Sequence, residues 1–299
     1  MKLSSWLIVK GLSLVPKAIV RRVARPYVAG TTLADALGVV EALARDGAMA
    51  TLDLLGEEIH EEQRALAAVD EYVGMLDAIA ERGLPSNVSI KLSLLGLKID
   101  EEFCRANVER LVVAAAAHGN FVRIDMEDAS TIDATLRIYR EIHTRHHNIG
   151  VVLQAYMRRT LRDISELPRE AANVRLCKGI YIEPRAIAWK GYETVRHNYL
   201  AALEKLFQRG VYTGIATHDE HLVCGAIALA DRLAVRPERF EFQMLLGVEP
   251  ELRRILLAAG HRLRVYVPYG RDWYPYSTRR LRENPEIASH VLKAMFRER

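Results

Sequence analysis

Beyond residue 50 the chain alternates between short apolar, β-branched runs and longer segments in which apolar positions return every three or four residues. The short runs fall at 51–55, 88–92, 121–126, 150–156, 174–178, 212–217, 239–245 and 264–267. Each is preceded or followed by a segment of helical period, such as 101–117 or 186–208. Runs of this length read as strands, and strands that alternate with helices imply parallel βαβ units. Eight of them in about 250 residues is the size of a closed (β/α)8 TIM barrel, whereas a doubly wound open sheet usually has fewer strands. The pattern therefore predicts an α/β chain with a helical extension at residues 1–48 and one barrel domain at 49–299.

Within the strands the alternation carries a second message. Val88, Ile90 and Leu92 share one parity, while Ser89, Lys91 and Ser93 share the other. Val122, Ile124 and Met126 likewise oppose Arg123, Asp125 and Glu127. Glu241, Gln243 and Leu245 fall on one face of their strand, and Arg264 and Tyr266 on one face of theirs. Successive strand residues point to opposite sides, so one parity faces the barrel interior. An interior that only packed would be aliphatic. Polar groups gathered on one parity of several strands predict a polar pocket, and barrel sites lie at the C-terminal strand ends. Lys91, Asp125, Gln154, Gln243 and Tyr266 are the expected lining.

Composition and charge narrow the possibilities. Half of the 299 residues are apolar, enough for a sizeable core, and the formal net charge is only +4. That balance argues against a dedicated nucleic-acid binder. Cys104, Cys177 and Cys224 are far apart, with no CxxC pair, so they predict neither a zinc cage nor a disulfide framework, and a cytoplasmic setting fits. No apolar run is long enough to span a bilayer. Before residue 34 there are six basic residues (Lys2, Lys10, Lys17, Arg21, Arg22, Arg25) and no acid. Such a basic amphipathic helix fits either of two placements: on an anionic membrane, or against the barrel with its charges in solvent. Pro16 breaks the pattern and favours the second.

Several groups are candidates for chemistry. A buried lysine such as Lys91 serves as a Schiff base, a carboxylate anchor or a structural ion pair, with Asp125 on the next strand its natural partner. Arg279 and Arg280, in the helical stretch 276–284, would offer forked donors to an anionic substrate above the barrel mouth. Glu283, three residues after Arg280, instead suits an ordinary helix ion pair. His143 and His147 share an i,i+4 face but need further metal ligands, and no metal site is expected. Thr217-His218, at the end of the sixth strand, is better placed. No GxGxxG or GxxxxGKS motif occurs, which sets aside Rossmann and P-loop nucleotide sites. From these residues alone, an oxidoreductase, a Schiff-base lyase or aldolase, and a non-catalytic barrel binding an anionic metabolite all stay open.

Seven segments go further. Ser89-Ile90-Lys91-Leu92-Ser93, Arg123-Ile124-Asp125-Met126-Glu127, Leu153-Gln154-Ala155-Tyr156, Arg175-Leu176-Cys177-Lys178-Gly179, Ala216-Thr217-His218, Glu241-Phe242-Gln243 and Tyr276-Ser277-Thr278-Arg279-Arg280-Leu281 occur in that order. Each alone is weak; together, each on its own strand or helix, they are specific. Over roughly residues 30–290 the chain resembles the monofunctional bacterial proline dehydrogenases and the matching domain of bifunctional proline-utilisation enzymes.

That resemblance implies a distorted (β/α)8 barrel holding FAD non-covalently. It implies oxidation of L-proline to 1-pyrroline-5-carboxylate by hydride transfer from C5 to flavin N5, with electrons passed to a membrane quinone. Asp125 and Arg175 become the expected catalytic residues, Arg175 lying near flavin N5. Lys91, Arg279 and Arg280 would clamp the proline carboxylate, and Tyr266, Tyr276 and Leu245 would pack on its ring. Met126, Gln154, Lys178, Gly179, Ile180, Thr217, His218 and Glu283 would contact the cofactor, and Glu57 resembles the acid that closes the site against a substrate arginine. Lys178 breaks the parity of Arg175, so it is expected past the strand end, within reach of a phosphate. Ile180 replaces the alanine of many members, the short link 271–275 suits the monofunctional type, and Tyr276 favours proline over hydroxyproline. A quinone acceptor raises the case for peripheral contact at the inner face of the membrane through the basic N-terminal helix. A homo-oligomer is compatible with the sequence.

Overall fold

Runs rich in Val, Ile and Leu become buried strands because a parallel sheet covered by helices has no solvent face. The computed structural model describes residues 20–21 and 24–277. In chain order these form α1 (Leu33–Arg45), β1 (Met49–Leu54), α2 (Glu62–Glu81), β2 (Ser86–Ile90), α3 (Glu101–Ala117), β3 (Val122–Ile124), α4 (Ile132–His143) and β4 (Ile149–Gln154). There follow α5 (Thr160–Ser165), β5 (Asn173–Cys177), α6 (Tyr192–Gln208), β6 (Tyr212–Ala216), α7 (Glu220–Arg232), β7 (Phe240–Leu245), α8 (Pro250–Ala258) and β8 (Leu263–Tyr269). The eight parallel strands close into a barrel in sequence order. Closure comes from β1, which pairs with β2 (Asp53 opposite Ser89) and with β8 (Thr51 opposite Tyr266).

The helices are fastened to the strand ends that carry polar residues. Tyr72 of α2 donates from its hydroxyl to the Ser89 carbonyl at 2.8 Å and accepts from the Leu54 N–H at 3.3 Å, tying β1 to β2. Tyr199 of α6 does the same for β5 through the Leu176 carbonyl at 2.9 Å. Both tyrosines are fully buried, so each phenol fills core volume and satisfies its hydroxyl at once. Helix α1 packs on β1 and β8. Ahead of it the chain runs across the C-terminal end of β8, where Ala29 donates to the Pro268 carbonyl at 2.9 Å and Gly270 to that of Gly30 at 3.1 Å. Of the six basic residues noted above, Arg21 and Arg25 are described, both exposed; Lys2, Lys10, Lys17 and Arg22 lie outside the described residues. Among the described residues, no helix is long and apolar enough to cross a membrane.

Eight strands and α3 stand where the hydrophobic pattern puts them. The segment 186–208 is helical only from Tyr192. Its first part is spent on other bonds: Trp189 donates to the Tyr156 carbonyl at 2.7 Å, and Arg158 to that of Ile187 at 2.9 Å. An amide used this way cannot join a helical ladder.

Candidate active site

The inward parity assembles a charged floor at the C-terminal end of the barrel. Asp53 comes from β1, Ser89 from β2, Lys91 from just past it, Asp125 from just past β3, Arg175 from β5, Gln243 from β7 and Tyr266 from β8. The Lys91 ammonium is hydrogen-bonded to Asp53, donates to the Tyr266 hydroxyl at 3.3 Å and stands 3.7 Å from Asp125. Asp125 accepts from Arg175 at 2.7 Å, from the Ser89 hydroxyl at 2.7 Å and from the Tyr266 hydroxyl at 2.8 Å. The other edge of Arg175 donates to the Gln243 amide oxygen at 2.5 Å, and its guanidinium stands 5.2 Å over the Tyr266 ring. The Gln243 side chain has that room because β6 offers Gly214, the register partner of Glu241, where a Cβ would come within 2.8 Å of the Gln243 carboxamide carbon.

Charge decides what this floor can do. Burial works to strip Lys91 of its proton, but the carboxylates of Asp53 and Asp125 outweigh it and hold the ammonium above its ordinary pKa. A Schiff-base lysine must be neutral to attack a carbonyl, so Lys91 is built as a fixed cation rather than a nucleophile. Burial likewise opposes ionisation of Asp125, and Arg175 and Lys91 overcome it and lower its pKa. The expected Lys91–Asp125 pair is present, but the carboxylate bonded to Lys91 is Asp53, which pattern reading passed over.

Above the floor lies a cavity of about 1020 Å³, lined by Lys91, Asp125, Arg175, Gln243 and Tyr266 below and by Met126, Leu245 and Tyr276 at the sides. Lys178, Gly179, Ile180, Thr217 and His218 form a further wall. Strand β5 ends at Cys177, so Lys178 does sit past it, where its ammonium donates to Asp219 at 3.1 Å. Asp219 also accepts from Arg196 at 2.7 and 2.8 Å and from the Tyr192 hydroxyl at 3.0 Å. Those bonds overcome the effect of burial and hold the Asp219 carboxyl well below the usual carboxylate range. Gly179 has φ +107°, and a Cβ there would run into the Tyr156 ring, so the wall presents bare backbone at this point. His218 accepts from the Leu245 N–H at 2.8 Å through Nε2, which places the proton of the neutral ring on Nδ1.

Not every expected residue joins this surface. Gln154 is buried but does not line the cavity; its amide is drawn away to the Glu127 carbonyl at 3.0 Å. Glu57 stands half-buried on the loop after β1. Arg279, Arg280 and Glu283 lie outside the described residues, which end in a helical turn at 273–277. The rings of His143 and His147 are tilted by 55° with centroids 5.0 Å apart, and among the described residues no three His, Cys, Asp or Glu side chains converge as metal ligands. Conversely, Asp53, Arg196 and Asp219 were missed, and Ser89 and Glu127 carried no role. For Asp53 a signal existed, since Thr51 and Asp53 alternate with Ala50, Leu52 and Leu54 in the same polar parity.

Comparison with known proteins agrees with this architecture. The family profile described as proline dehydrogenase matches residues 36–293. The proline dehydrogenase of Deinococcus radiodurans is 37% identical over 281 residues, covering 92% of this chain and 90% of that protein. Proline dehydrogenase 1 of Bacillus subtilis is 37% identical over 275 residues, covering 92% and 91%. Among solved structures, proline utilization A from Bdellovibrio bacteriovorus inactivated by N-propargylglycine superposes with a TM-score of 0.80 at 22% identity, over 86% of this chain and 32% of that one, a likeness of fold. By sequence over nearly its whole length, the chain belongs to the proline dehydrogenase family of oxidoreductases.

Proposed function

We propose that this chain oxidises L-proline to 1-pyrroline-5-carboxylate with FAD held non-covalently in the cavity, and that the electrons pass to a membrane quinone. The observation that carries the reading is the fixed cation Lys91, braced by Asp53 and Asp125 on the cavity floor of a chain of this family. The residues fit the cofactor: the cations Lys178 and Arg196 suit phosphates, and the bare backbone at Gly179 allows close approach. FAD, when bound, supplies at N5 the acceptor for the hydride that leaves proline C5.

The chain's own residues would bind, orient and hold charge. Lys91, with Arg279 and Arg280, takes the substrate carboxylate, while Asp125 keeps Lys91 and Arg175 in register. Tyr266, Tyr276 and Leu245 pack on the pyrrolidine ring and exclude water from it. Arg175 would lie near the flavin; Met126, Ile180, Thr217, His218 and Glu283 would line it, and Glu57 would close the site against an arginine. Fixing ring and carboxylate in one geometry lowers the barrier by removing orientational freedom before the reaction. The proline nitrogen must be neutral, because its lone pair assists departure of the C5 hydride. The basic stretch before residue 34 is suited to hold the enzyme near the membrane that contains the quinone.

The test is a visible spectrum. Purified protein should be yellow and should bleach when L-proline is added without oxygen. Flavin-replete protein that keeps its colour with proline would refute the reading.

A further inference from the structure

Among the described residues, five charged side chains surround the floor of the cavity, and they do not balance. Asp53 and Asp125 are matched by Lys91 and Arg175, each bonded as described above. Glu127 is the fifth. It follows Asp125 by two residues, beyond the end of β3, and it lines the cavity although its residue is buried. Among the described residues no lysine, arginine or histidine forms an ion pair with it. Its carboxylate instead accepts two hydrogen bonds from Ser93, one from the N–H at 2.9 Å and one from the hydroxyl. A carboxylate has about four acceptor positions, so two are left for a further donor.

A buried charge without a counter-ion is costly unless a partner arrives. The zwitterion of an amino acid brings both charges that this floor can use: a carboxylate for Lys91 and a secondary ammonium for an unmatched acid. We propose that Glu127 receives the substrate ammonium and accepts its proton, leaving the neutral amine that oxidation requires; this rests on the proline reading above. The proton passes from the substrate nitrogen to a carboxylate oxygen of Glu127, and the nitrogen keeps the freed electron pair. Glu127 then returns the proton to solvent.

The surroundings suit a proton acceptor. Burial pushes the Glu127 carboxyl above the usual carboxylate range, against the pull of the two Ser93 bonds and the Lys91 charge. Glu57 on the loop after β1 pushes the same way. Cys104 of α3, an uncharged buried thiol, also faces it. A base with a raised pKa binds a proton more firmly than an exposed carboxylate, which is what general-base work needs.

Two ligands separate this role from a structural one: L-proline, and cyclopentanecarboxylate, which keeps the ring and carboxylate but has no nitrogen. In the flavin-loaded Glu127→Gln enzyme, kcat/KM for proline at pH 7 should fall at least 30-fold, while the cyclopentanecarboxylate Kd, read from the flavin spectrum, stays within about twofold. The deficit should shrink as pH rises toward about 10, where a growing share of solution proline is already deprotonated, in line with ordinary alkylammonium pKa values. Ser93→Ala keeps the carboxylate but removes a hydrogen bond to its charged form, so the acidic limb of its pH–rate profile should move upward. Equal loss of both ligands in Glu127→Gln, a deficit independent of pH, or an unmoved limb in Ser93→Ala would each overturn the proposal. If the parent enzyme itself fails to oxidise proline, the earlier reading falls instead.

Discussion

At the scale of single residues, the site turns on which carboxylate holds Lys91. Asp53 is fully buried and bonded directly to the ammonium, whereas Asp125 stands 3.7 Å away and is already shared with Arg175, Ser89 and Tyr266. Asp53→Asn should therefore let Lys91 drift toward Asp125 and spoil the carboxylate anchor. Proline KM should rise about tenfold or more with a smaller fall in kcat, and cyclopentanecarboxylate should bind more weakly by a similar factor, the scale of a disturbed charge pair. Steady-state kinetics and a spectral titration would check this, and unchanged values for both ligands would remove Asp53 from the site. The parity that singled out Lys91, Asp125 and Tyr266 extends to Asp53, so this residue was legible. Glu127 and Asp219 follow strand ends and Arg196 lies on a helix, where alternation no longer says which way a side chain faces. Gln154 shows the converse limit: inward parity does not reveal that a neighbouring carbonyl will claim its amide.

At the scale of elements, legibility follows the strength of the local stop and start signals. Helix α3 begins at Glu101 because Asp100 caps it, accepting from the Phe103 N–H at 2.8 Å, with Glu101 and Glu102 in the first turn. That cap also fixes the end of the loop carrying Lys91 and Ser93. Asp100→Ala should lower stability by about 1 kcal/mol, visible as a fall of about 2 °C in the thermal midpoint. A midpoint unchanged by the substitution would mean that packing alone sets the start of the helix. Helix α6 lacks such a side-chain cap; its N-cap is Gly191 and its start is fixed by what the preceding loop does elsewhere. The bonds from Trp189 to Tyr156 and from Arg158 to Ile187 are long-range, and Arg158 also stacks over the Trp189 ring at 3.7 Å. Helical period in 186–208 cannot report them. The same holds for β3, expected at 121–126 and found only at Val122–Ile124, with Asp125 still donating its N–H to the Ile90 carbonyl at 2.8 Å and Glu127 beyond that last bond.

At the scale of the whole molecule, the barrel interior is one polar column, and the upper part that forms the site rests on a lower part that closes the sheet. Glu241 of β7 accepts from Arg264 of β8 at 2.6 Å, from the Tyr212 hydroxyl of β6 at 2.8 Å and from Gln243 at 2.6 Å. Gln243 in turn holds Arg175, which holds Asp125. Arg123, with the same parity as Asp125, sits lower and bonds the carbonyls of Val151 at 3.1 Å and Asn173 at 2.8 Å, so parity alone did not separate the two storeys. Acid should attack this column at Glu241. Burial there favours the neutral acid, but the Arg264 charge and the hydrogen bonds from Arg264, Tyr212 and Gln243 prevail and bring its pKa down to about 2. A carboxyl whose folded pKa is depressed stabilises the fold above its unfolded value near 4.5, and that contribution is lost as pH falls toward 2. The difference corresponds to about 3 kcal/mol. Urea midpoints measured from pH 7 to pH 2 should therefore drop steeply below about pH 4.5. Glu241→Gln should already be weaker at pH 7, by about 3 kcal/mol or more because Arg264 loses its counter-ion, yet its midpoint should change less as acid is added. A variant that keeps the full acid slope of the parent would show that other carboxylates control acid unfolding, and that Glu241 joins the strands without governing how they come apart.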